Sequence, residues 1–188
     1  MIGIDISEDV PSAARERAVA VGVQDRCVFT TSAAERADVV VSIDAFEPFP
    51  TPGRPGHHEQ PPAPEGEVLI SFGPTWYHPL GGHLFSVFPW AHRLFSEKAL
   101  IRWRSDFKRD GATRFSQVAG GLNQMTIRKF EDAVKRSSLT FAWMELVPIR
   151  QLRHFHNRLT RDFATAIIRC RLVKAESSSG QNGVASRP

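Results

Sequence analysis

Residues 1–7 read Met-Ile-Gly-Ile-Asp-Ile-Ser, a short apolar run that reaches an acid and passes straight into the helix-starting Ser7-Glu8-Asp9. An acid at the carboxyl end of a strand is how nucleotide-type folds present one carboxylate to the two hydroxyls of a ribose. In such folds an earlier strand, followed by a glycine-rich turn, receives the rest of the ligand. Asp5 stands with no such strand before it, so the expectation is an α/β sheet that lacks its first strand–helix unit.

Working outward, residues 12–21 predict a helix, with Ala14, Ala18 and Val21 at helical spacing, Asp9 available as a cap and Pro11 tolerable in the first turn. Gly22 then supplies the left-handed stop. Apolar runs at 2–6, 27–31, 38–43 and 68–72 read as near-continuous buried strands, the pattern of a parallel sheet covered on both faces. A strand, a helix, a Gly stop and a second strand make a βαβ unit.

The connection between the third and fourth runs breaks this pattern. Residues 48–64 hold seven of the 13 prolines and no Ile, Leu, Val or Met, so they cannot supply the crossover helix that parallel neighbours require. One reading is an extended, irregular insertion over 48–65. The other is out-of-frame translation of 50–65, because 19 Arg against 5 Lys points to a GC-rich gene whose shifted frames encode Pro, Arg, Gly and His. The coding DNA decides between them, according to whether another frame yields an amphipathic helix.

Beyond Phe72 the chain turns aromatic, with Trp76, Tyr77, Phe85, Phe88, Trp90 and Phe95 among His78, His83 and His92, the composition of a lid or substrate region. Ser96 is placed to cap a helix that puts Ala99, Leu100, Trp103 and Phe107 on one face. Thr126 is placed to cap another carrying Ile127, Phe130 and Val134. Strands follow at about 141–147 and 163–173, and the Ser- and Gly-rich 175–188 reads as a disordered tail.

With 188 residues, 41% hydrophobic and 23% charged, the chain is one domain's length. A net charge of +4 and a pI near 9.5 do not by themselves indicate nucleic-acid binding. Cys27 and Cys170 have no metal-ligand spacing and read as reduced core residues. No run approaches the ~20 apolar residues of a membrane span, and the start does not read as a secretion signal, so a cytoplasmic location and no membrane partner are expected.

At Gly3-Ile4-Asp5-Ile6-Ser7, Asp38-Val39-Val40-Val41-Ser42-Ile43-Asp44-Ala45-Phe46-Glu47 and Gly66-Glu67-Val68-Leu69-Ile70-Ser71-Phe72-Gly73-Pro74, the chain resembles the class I S-adenosylmethionine-dependent methyltransferases. The closing Ile167-Ile168-Arg169-Cys170-Arg171 matches that family's antiparallel last strand, so the likeness covers about residues 1–174. The resemblance implies a Rossmann-like, mostly parallel sheet with an antiparallel last strand. It also implies methyl transfer from S-adenosylmethionine to a small-molecule acceptor. Asp5 would bind the donor's ribose hydroxyls through charge-assisted hydrogen bonds, beside Ile6. Ser32 and Ala33 stand where many relatives carry an acid that contacts adenine, and Ile43 would complete the donor side.

Asp44, Phe46, Trp76, Tyr77 and His83 would line the acceptor pocket, with His78 as the catalytic candidate. The family's glycine-rich turn has no counterpart in this sequence, and Pro48 follows Glu47 where the related phrase often has histidine. Methyl transfer is an in-line displacement from an already activated donor. The protein therefore mainly aligns the acceptor, and a base is needed only where an acceptor proton must leave early.

Other constellations carry less. His57, His58 and Glu59 lack the rigid, spaced frame of a metal site. The basic run 150–161 reads as a solvated face ahead of a phosphate or RNA contact. No Gly-x-Ser-x-Gly elbow or phosphate-binding loop is present. The rival reading is a non-catalytic remnant or partner-binding module, and a third is a nicotinamide-dependent oxidoreductase that shares the ribose acid. A missing first strand would leave its neighbour's edge open, so self-association is expected.

Overall fold

The computed structural model describes residues 1–4, 9–31, 37–44, 66–85, 87–109, 111–117 and 124–175. The expected site residues Asp5, Ile6, Ser32, Ala33 and Phe46, the segment 48–65 and the tail 176–188 lie outside them, as do His57, His58 and Glu59.

Two sheets form. In the first, β1 (Ile2–Ile4) pairs in parallel with β2 (Val28–Thr30), and α1 (Asp9–Ala20) is the crossover between them. Pro11 sits in the first turn of α1, Gly22 adopts φ +70° just beyond it, and Arg15 donates to the Phe29 carbonyl at 2.6 Å. The expected βαβ unit is therefore present.

The second sheet has the order β3–β4–β6–β5, formed by Val39–Ile43, Glu67–Phe72, Thr165–Lys174 and Leu139–Pro148. β3 and β4 run parallel, while β6 is antiparallel to both β4 and β5. The last strand is thus antiparallel, as expected. Two points differ from the single, mostly parallel sheet. The strands fall into two sheets, and antiparallel ladders are as numerous as parallel ones among the described residues.

The larger of two core clusters lies on one face of the larger sheet, and Trp76, Phe85, Leu100 and Phe115 form the other. α4 (Ile127–Arg136) opens with Lys129 N–H donating to Thr126 Oγ1 at 3.1 Å, and its buried Ile127, Phe130 and Val134 pack on Ile70, Phe72, Ile168, Cys170 and Leu172. Burial pushes the Cys170 thiol up to about 11, so it stays protonated as a small apolar residue. Cys27 is only half-buried and precedes β2, so it is not a core cysteine.

The opposite face mixes ion pairs with exposed apolar side chains, among them Val41, Ile43 and Trp143. On it Arg169 lies opposite Glu145 at 3.8 Å, and Arg171 Nε meets Glu67 at 2.6 Å. The expectation of strands buried on both faces is corrected accordingly. Strands become buried on both sides only where helices cover both. In β1 and β3, Ile4 is 54% exposed, Val41 58% and Ile43 66%.

α3 (Glu97–Ser105) is capped by Ser96, whose Oγ accepts from Ala99 N–H at 3.3 Å. Its inward face is not the one expected. Leu100 and Arg104 are buried and Ile101 half-buried, whereas Trp103 and Phe107 stack on each other in the open at 4.7 Å. The short helices α2 (Ala91–Leu94) and α5 (Arg161–Ala164) complete the fold.

Candidate functional site

β3 and β4 end at Ile43 and Phe72, β5 ends at Pro148, and the antiparallel β6 begins at Thr165, so these four termini share one edge of the larger sheet. Open α/β sheets bind ligands outside the carboxyl ends of parallel strands. The segments 73–96 and 149–164 leave the sheet at this edge and meet where Tyr77 and Phe163 stack at 5.2 Å.

The 73–96 segment folds back tightly. A cis Gly73-Pro74 bond turns the chain out of β4, and Trp76 N–H then donates to the Met125 carbonyl at 2.7 Å, tying the segment to the start of α4. At Gly81 an added Cβ would collide with the Thr75 and Trp76 carbonyl oxygens. At Gly82 it would fall 2.6 Å from the His92 Cβ. Only glycines admit so close a return. Trp90, held at φ +60°, donates its indole N–H to the Tyr77 carbonyl at 2.9 Å.

This return brings three histidines together. His92 is 5% exposed, stacks edge-on against Trp76 at 4.5 Å, and lies 2.7 Å from the Trp76 carbonyl through Nε2. A carbonyl only accepts, so Nε2 carries the proton and Nδ1 is left as a buried acceptor with no partner among the described residues. The buried Thr75 hydroxyl is in the same position. His78 Nδ1 accepts from Leu80 N–H at 2.9 Å, which places the proton of the neutral ring on Nε2.

Burial first, and the charges of His83 and His92 next, hold the His78 pKa below its ordinary 6.5. Burial likewise lowers that of His92, ahead of the opposing Trp76 carbonyl and the charges of Arg93 and His83. Both rings are therefore neutral near pH 7.

Of the expected acceptor-side residues, Trp76, Tyr77, His78 and His83 come together here. Asp44 and Ile43 stand on the neighbouring strand end, where Asp44, at φ +53°, donates its N–H to the Ser71 carbonyl at 2.8 Å. Sequence reasoning did not assign a role to Thr75, His92, Arg93, His156 or Phe163. The Arg93 guanidinium lies 5.0 Å over the Tyr77 ring, and the His156 imidazole lies 3.0 Å from the Thr165 hydroxyl. The Gly81-Gly82 pair was the one local signal of a close return.

A cavity of about 310 Å³ is lined by Ile101, Arg104, Ser105, Lys108 and Ala112, and another of about 370 Å³ by α1 and β2 residues including Arg15 and Phe29. Neither includes an expected site residue. Among the described residues no group of three or more His, Cys, Asp or Glu is placed to hold a metal ion. No protein-family model matches the chain, and no curated protein matches it.

Proposed function

We propose that the chain is a Rossmann-like methyltransferase domain that transfers a methyl group from S-adenosylmethionine to a small-molecule acceptor. The observation that supports this most is the placement of the antiparallel β6 between β4 and β5, with the aromatic and histidine segment at the carboxyl end of β4. On this reading β1–β2 and β3–β4 belong to one sheet. A further parallel strand between β1 and β3 would make it continuous.

The donor, when bound, supplies an electrophilic methyl carbon on a sulfonium. Asp5 and Ile6 would hold its ribose side, and Ser32 and Ala33 its adenine. The exposed Ile43 suits the apolar part of that ligand, being a bare side chain at a strand's carboxyl end. Trp76 and Tyr77 would wall the acceptor. Asp44 and His83 would border the wall, along with Phe46. His78, with Nδ1 occupied and Nε2 protonated, is suited to donate a hydrogen bond to an acceptor oxygen rather than to remove a proton.

Calorimetric titration with S-adenosylmethionine, with a nicotinamide dinucleotide as control, tests the assignment. Asp5→Ala is expected to weaken donor binding by about 1.5–3 kcal/mol, the range for hydrogen bonds to a charged group. An unchanged dissociation constant, or preference for the nicotinamide ligand, would overturn it. The second reading, a non-catalytic partner-binding module, is favoured by the open apolar strands β1 and β3 and is the one left standing if the donor does not bind.

A further inference from the structure

The two segments that leave the sheet at the candidate site, 73–96 and 149–164, contain five arginines and one acid, Asp162. Arg161 is engaged by Glu131 at 3.1 Å, whereas Arg150, Arg153 and Arg158 stand exposed. Among these arginines project two large apolar side chains, Phe155 at 68% exposure and Leu159 at 90%. Single exposed apolar residues are ordinary. A hydrogen-bonded loop that holds two of them outward, with Arg150, Arg153 and Arg158 exposed beside them along the chain, is not.

The rigidity is visible in the hydrogen bonds. Asn157 Oδ1 accepts from the Leu159 and Thr160 N–H groups at 2.9 and 3.2 Å, and Asn157 N–H donates to Thr160 Oγ1 at 3.1 Å. The Thr160 hydroxyl in turn donates to the Phe155 carbonyl, and Arg161 N–H donates to the Asn157 carbonyl at 2.8 Å. The loop cannot readily fold Leu159 back onto the protein, so little conformational entropy remains to be lost when a partner covers it.

We propose that this edge docks on the surface of an anionic lipid bilayer, with Phe155 and Leu159 entering the boundary between headgroups and acyl chains. Arg150, Arg153 and Arg158 would lie against lipid phosphates. Apolar tips combined with basic flanks are the physical signature of interfacial binding, in which burial and charge attraction act together. Nucleic acid fits less well, because a base could stack on Phe155 but would leave the more exposed Leu159 with no apolar surroundings to enter. The absence of a helix long and apolar enough to cross a membrane among the described residues does not bear on docking at its surface. The proposal departs from the sequence expectation of no membrane partner.

Vesicle flotation tests the proposal, since flotation separates lipid-bound protein from self-associated protein. Phosphatidylcholine vesicles with roughly one-third phosphatidylserine carry the anionic surface that should bind. The full chain is expected to float with these and not with pure phosphatidylcholine. Leu159→Ser should lower the partition by about tenfold, and Arg158→Glu should lower it further. Three results would overturn the proposal: no flotation with anionic vesicles, equal flotation of Leu159→Ser, or equally tight binding to polyuridylate or polyglutamate at the same salt. No methyl donor is involved, so the outcome is separate from that of the donor titration.

Discussion

The two ring nitrogens of His92 meet opposite fates: Nε2 donates to the Trp76 carbonyl, while Nδ1 is buried with no partner among the described residues. Protonating that ring would bury a charge beside Arg93, and the same holds for His78 beside His83 and His92. Both pKa values are lowered in the folded state, so below about pH 6.5 the unfolded chain binds more protons than the folded one. The contribution of these two rings to stability is therefore fully present above about pH 6.5 and is lost as pH falls through the lowered folded values. Urea midpoints should stay flat from neutral to mildly alkaline pH and drop on acidification. His92→Gln, which keeps a donor for Trp76 and removes a titrating ring, should flatten part of that drop. A midpoint independent of pH in the parent protein would show that these rings are not held neutral. The sequence shows three histidines among aromatics, but not that one is turned inward, because that depends on the backbone return at Gly81 and Gly82.

α4 was legible from its residues alone. Thr126 caps it, and Ile127, Phe130 and Val134 recur at the helical period and are the residues that are buried. Phe130 is fully enclosed, packing edge-on against Phe72 at 5.0 Å and Phe141 at 5.8 Å, so Phe130→Ala should cost about 3–5 kcal/mol by chemical denaturation. A loss below 1 kcal/mol would mean that α4 does not hold the sheet. α3 was legible in extent and cap but not in orientation. Its period fits a face centred on either Leu100–Arg104 or Trp103–Phe107, and the Arg104 guanidinium, 5.8 Å over the Phe85 ring, settles on the first. A long basic side chain can bury its stem and rest its charge on an aromatic face, an option that a polar-or-apolar reading of the sequence excludes.

Taken whole, the molecule carries two sheets with open apolar strands. Val39, Val41 and Ile43 are each at least 48% exposed in β3, and among the described residues no third strand joins β1–β2 in their sheet. Open edges of this kind template pairing with other chains. The protein should therefore self-associate in a concentration-dependent way in analytical ultracentrifugation, and Val41→Lys, which places a charge on the exposed strand, should shift it toward monomer. A monomer at every concentration would contradict this. The sequence by itself determined the local elements: capped helices, short β-branched strands and the Gly22 stop. Each of these follows from backbone preferences and periodicity within a few residues. Only the tertiary structure decided that the strands divide into two sheets, that α4 covers one face while ion pairs lie on the other, that His92 turns inward and that Leu159 points out. These depend on which distant segments meet, and no local periodicity encodes that.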